Sequence, residues 1–96
     1  MNKENHVLLY RESMGGSYDI KLADGHCVAN AGIGKDWLTI YIIETEPEYR
    51  RQGEATRLLT EIKERCANTG RRLTLWCPMG EEIKRLCKKL DIPMQV

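Results

Sequence analysis

The chain has 96 residues, a formal net charge of +1, and 42% hydrophobic and 30% charged side chains. This is material for one small core in a single domain over residues 1–96, and its near-neutral charge leaves no global field to draw nucleic acid or an acidic membrane. The longest apolar runs fall far short of the ~20 residues that cross a bilayer, and Met1-Asn2-Lys3-Glu4-Asn5 lacks the apolar centre of a signal peptide, so a cytoplasmic protein is expected.

Residues 6–12 read as a short strand beginning at His6, and Met14-Gly15-Gly16-Ser17 as a turn. Tyr18 to Leu22 alternates apolar and polar, the period of a strand. Asp24-Gly25 is the signal for a two-residue hairpin turn with positive φ, and Cys27 to Ile33 returns as its second strand. Lys35-Asp36 turns again into a strand from Trp37 to Glu44, apolar on both faces and therefore expected at the centre of a sheet. The period then changes. Ala55, Leu58, Leu59, Ile62 and Cys66 make one stripe of a helix that stops at Asn68-Thr69-Gly70. Leu73 to Cys77 is a strand ended by Pro78. Ile83, Leu86, Cys87 and Leu90 stripe a second helix, and residues 91–96 leave room for a short tail strand. The expected fold is α/β, with a mixed, mostly antiparallel sheet: a β-meander followed by β-α-β-α.

Cys27, Cys66, Cys77 and Cys87 form no C-x-x-C pair and have no histidine at zinc-ligand spacing. They are expected as free, buried hydrophobes in a reducing compartment, with no metal site. Trp37, Tyr41 and Trp76 are expected in the core, with a substrate slot as their alternative use.

The stretch that carries chemistry is Arg50-Arg51-Gln52-Gly53-Glu54-Ala55. It lies between the fourth strand and the first long helix. The first N–H groups of a helix have no intrahelical partner, and the helix dipole makes that end positive. A basic, glycine-containing turn feeding such an end suits a phosphate or pyrophosphate. Gly53 and the small Ala55 let the backbone approach a bulky ligand.

From Tyr18 onward the chain resembles the GNAT family of N-acetyltransferases, as an unusually short member. Three segments carry the resemblance: residues 22–31 around Asp24-Gly25, residues 43–55 ending in Gln52-Gly53-Glu54-Ala55, and residues 77–92. The second fits the family's acetyl-CoA loop, (Gln or Arg)-x-x-Gly-x-(Gly or Ala). The resemblance implies that acetyl-CoA is the cosubstrate and that no metal is needed. Its pyrophosphate would lie on the backbone of Arg51 to Ala55, with Arg50 and Arg51 supplying charge. Its pantetheine would pair with the strand edge near Ile43 and Thr45, where a strand N–H meets the developing oxyanion.

The resemblance also shows what is missing. The tyrosine that commonly protonates the departing thiolate is replaced by Cys87, either a proton donor or a core thiol. Leu75 and Gly80 stand where some members carry a glutamate and an asparagine, and Asp91-Ile92 replaces the usual glycine-aromatic pair. Glu44, at the strand opening, is the first candidate general base and Glu46 the second. His26 and His6 read as surface residues. Of the basic face Lys84-Arg85-Lys88-Lys89, solvation or contact with the ribose phosphate of CoA is expected. The two helices that usually follow the first strand have no room, and the closing strands are cut to a stub.

The implied function is direct transfer of acetyl from acetyl-CoA to a primary amine: a protein lysine or N-terminus, or a small amine. The alternative is a catalytically weak or inactive module that binds CoA or acts through protein contacts. An uncovered sheet edge invites a homodimer. A small nucleic-acid-binding protein is the third reading, which the near-neutral charge opposes.

Overall fold

The computed structural model describes residues 7–76 and 80–95. The expected strand end at Cys77-Pro78, and His6, lie outside them. The elements are β1 (Leu8–Glu12), β2 (Tyr18–Leu22), β3 (Cys27–Ile33), β4 (Trp37–Thr45), α1 (Glu54–Thr69), β5 (Arg72–Trp76), α2 (Gly80–Leu90) and β6 (Met94–Gln95). Short 3-10 turns stand at Met14–Gly16 and Pro47–Tyr49. The strands form one six-stranded sheet in sequence order. The first three pairings are antiparallel and the last two parallel, the mixed sheet that the periodicities predict.

Alternation sorts the strands into two faces. One face carries Leu8, Ile20, Leu22, Ala29, Ala31, Leu38, Ile40, Leu73 and Leu75, all buried. They share one cluster with Leu58, Leu59, Ile62 and Cys66 of α1 and Cys87 of α2. Burying a Leu or Ile side chain is worth ~2 kcal/mol, so this layer holds the fold. Both helices close on a residue in left-handed backbone. Gly70 (φ 73°) follows α1, where the Arg71 N–H donates to the Cys66 carbonyl. Asp91 (φ 59°) follows α2, where the Ile92 N–H donates to the Cys87 carbonyl.

Three expectations are corrected. The hairpin between β2 and β3 forms, but neither Asp24 nor Gly25 has positive φ. Its turn is closed from Gly25 N–H to Leu22 carbonyl, which puts Ala23-Asp24 at the centre. β4 is central in the sheet yet covered on one face only. Trp37, Tyr41 and Trp76 are not core: they are 45%, 36% and 48% exposed. The reason is the missing layer. β1 passes to β2 through a three-residue 3-10 turn, and no described helix lies over that face.

β4 also bends. Its pairing with β3 slips by one residue between Asn30–Ile42 and Ala31–Ile40, leaving Tyr41 as a bulge, which kinks a strand and increases its twist. β4 pairs with β5 only from Trp37 to Ile40. Among the described residues that pairing stops at Ile40, one step before the bulge.

Candidate functional site

At the far end of β4 the chain turns through Pro47–Tyr49 and enters α1 at Gly53, the residue that caps the helix. Gly53 sits at φ 79°. A Cβ there would meet no atom within 4 Å, so its glycine is required by the left-handed backbone rather than by crowding within the chain. The first helical bond runs from the Arg57 N–H to the Gly53 carbonyl at 2.9 Å. The N–H groups of Glu54, Ala55 and Thr56 precede it and have no place in the helical ladder. No side chain among the described residues caps this end. Arg51, also left-handed at φ 64°, helps turn the chain into the helix.

A network of side chains fixes the helix start. The Glu54 carboxylate accepts the His26 N–H at 2.9 Å and lies 3.7 Å from the Arg57 guanidinium, which reaches Asp24 at 2.8 Å. The β2–β3 hairpin is thereby tied to the first turn of α1. His26 stacks on Tyr49 with centroids 3.6 Å apart and planes 3° apart, and its Nδ1 lies 3.5 Å from Glu46. The α1 end is therefore held from two sides, a precondition for aiming backbone donors at a ligand.

These elements enclose a groove of about 420 Å³ between the end of β4, the start of α1 and one side of α2. Ile43, Glu44, Thr45, Arg50, Arg51, Gly53, Glu54 and Ala55 all line it. Of the expected cofactor residues, Gln52 alone is not among its lining; its side-chain amide donates to the Glu48 carbonyl instead. Arg50 donates from Nε to the Thr45 carbonyl at 3.2 Å, so one acceptor on the β4 edge is already engaged. Arg51 stands 4.0 Å from Glu82 in an exposed pair that is worth little in water.

The two candidate catalytic residues part company. Glu44 is exposed at the strand end and lines the groove. Cys87 is 0% exposed, and burial pushes its thiol above the ordinary 9.0; it packs in the core. Glu46 is engaged with His26. Arg85 and Lys89, from the basic face of α2, line the groove. Sequence reasoning did not find Tyr49, which also lines it; no periodicity marks a residue placed by a 3-10 turn and a ring stack.

A groove edged by arginine and lysine, with free helix amides at one end and a strand edge at the other, suits a long ligand with a diphosphate. The model of the acetyltransferase (GNAT) family matches residues 3–85. The chain belongs to this family. No curated protein and no solved structure matches it. The sheet and its two helices are a truncated form of the GNAT fold, with the β4–α1 turn in place. GNAT enzymes generally use acetyl-CoA and act on amines. Among the described residues no group of three or more His, Cys, Asp or Glu is placed to hold a metal ion.

Proposed function

We propose that the protein is an N-acetyltransferase that moves acetyl from acetyl-CoA to a primary amine in a ternary complex, without an acyl-enzyme. One observation supports this reading: Gly53, Glu54, Ala55 and Thr56, at the start of α1, line a cation-edged groove that also takes in Ile43, Glu44 and Thr45 of β4. When bound, acetyl-CoA supplies an activated thioester. The amides hold its diphosphate, and Arg51, Arg85 and Lys89 add charge. The β4 edge at Ile43 and Thr45 pairs with the pantetheine amides as a further strand would. A β4 backbone N–H faces the carbonyl oxygen as negative charge develops on it.

Glu44 is the general base in this reading. Its carboxylate takes the proton of the incoming ammonium, so that the amine's lone pair is free to attack. Cys87 is assigned to packing, because a fully enclosed thiol cannot reach a leaving group. The open groove lets solvent protonate the thiolate. Calorimetry with acetyl-CoA, followed by thiol release across lysine peptides and small amines, tests the whole. Binding with turnover on at least one amine is expected, and Glu44→Gln should then lower kcat by about 10²-fold. Binding without thiol release on every acceptor would replace the enzyme by a CoA-binding module.

A further inference from the structure

The face of the sheet turned away from the helices carries an apolar strip. Trp37, Tyr41 and Trp76 are 45%, 36% and 48% exposed, and Ile42 and Val28 beside them 45% and 36%. Exposed rings gathered on one face are informative in a way that scattered ones are not. The strip has a floor. A Cβ on Gly32 would come within 2.5 Å of the Tyr41 hydroxyl and 3.2 Å of the Trp37 ring, and one on Gly34 within 2.1 Å of the Trp37 indole. Two glycines of the β3–β4 hairpin thus let both rings lie down on the sheet. Tyr41 and Trp76 meet edge to face with centroids 6.0 Å apart.

The strip runs along β4 to Tyr41 and Ile42, next in the chain to the groove-lining Ile43 and Glu44. Paired residues end at Ile40 and Leu75; Tyr41 and Trp76 are the next residues on either strand. From there the strip runs back along β4 to Trp37, about 13 Å for the four-residue step. Its five side chains offer on the order of 400 Å² of apolar surface, about half of the ~800 Å² per partner in a stable protein interface. This is too little for a durable second copy and sufficient for a few residues of extended chain.

We infer that the acceptor amine is carried on a polypeptide segment with an aromatic or large apolar side chain within about four residues of the amine, and that this segment lies along Trp76, Tyr41 and Trp37. The inference rests on the acetyltransferase reading and names its substrate class. A small polar amine would leave the strip uncovered.

Both tryptophans of the chain stand in the strip, so intrinsic fluorescence reports its occupancy without turnover. Two lysine peptides, alike except for Tyr or Ser three positions from the lysine, are titrated into the full chain and then compared as acceptors. The Tyr peptide is expected to shift the emission, to bind about tenfold more tightly and to show the higher kcat/KM. Trp76→Ser, with Trp37 retained as reporter, should bring the two peptides to near equality while the Kd for acetyl-CoA stays unchanged. Equal affinity of the two peptides for the unaltered chain would overturn the inference, as would an emission shift produced by diluting the protein alone, which would mean that a second copy covers the strip. Acetyl-CoA calorimetry on the same sample separates this failure from failure of the acetyltransferase reading.

Discussion

Arg51 and Asp91 both hold left-handed backbone with a full side chain, at φ 64° and 59°, and each position costs ~1 kcal/mol relative to glycine. Asp91 closes α2 where glycine is the usual residue, and nothing about its carboxylate is needed for the groove. Asp91→Gly should therefore stabilise the fold by ~1 kcal/mol and raise Tm by ~4–8 °C, with no change in acetyl-CoA affinity. Thermal unfolding and calorimetry check the two parts. Arg51 lines the groove, so its substitution should separate stability from binding. Arg51→Gly should raise Tm by a similar amount yet weaken acetyl-CoA severalfold, through the loss of one cation near the diphosphate. An unchanged Kd would remove Arg51 from the phosphate site. The glycine-containing basic turn before α1 was legible in the sequence, because arginines and a glycine directly precede an amphipathic stripe; the left-handed backbone at Gly53 was not, since the glycine read equally well as room for a ligand. The engagement of Arg50 with the Thr45 carbonyl was not legible, since a local hydrogen bond of one of five guanidinium donors leaves no trace in the spacing.

The elements themselves followed from periodicity: β2, β3, β4 and both helical stripes stand where the alternation of apolar residues puts them. What failed were features set between elements. The bulge at Tyr41 arises from the register of β3 against β4, and register belongs to neither strand alone. The turn after Leu22 closes one residue earlier than Asp24-Gly25 suggests, and just beyond it the His26 N–H donates to the Glu54 carboxylate of α1. That contact gives a prediction at this scale. Glu54→Ala should destabilise the protein by ~1–2 kcal/mol, since it removes a charged acceptor and an acidic residue from the first turn of α1. It should also weaken acetyl-CoA more than Glu54→Gln does, because the amide side chain still accepts from His26. Urea unfolding paired with calorimetry reads both, and equal effects of the two variants would mean that the contact does not position the helix.

At the scale of the whole molecule the described residues form a sheet covered by helices on one side. Its stability depends on a single layer in which Cys27, Cys66 and Cys87 are enclosed and free. Burial raises all three thiols above their ordinary 9.0. The folded chain therefore keeps protons that the unfolded chain releases. Stability should be full below pH ~8.5 and should fall as pH rises through the ordinary thiol value toward the raised ones. Urea midpoints at pH 8.0 and 9.5 check this, and a flat profile would contradict the enclosure of the thiols. The uncovered face was misread from sequence because aromatic residues on a central strand look like core, whereas no described helix lies above them. Acetyl-CoA binding in this groove depends on the three helix amides. The most direct test follows the backbone amide resonances of ¹⁵N-labelled protein as acetyl-CoA is added. The prediction is that Glu54, Ala55 and Thr56 shift downfield together with saturable binding, whereas binding that leaves these three unmoved, or no binding at all, would contradict it.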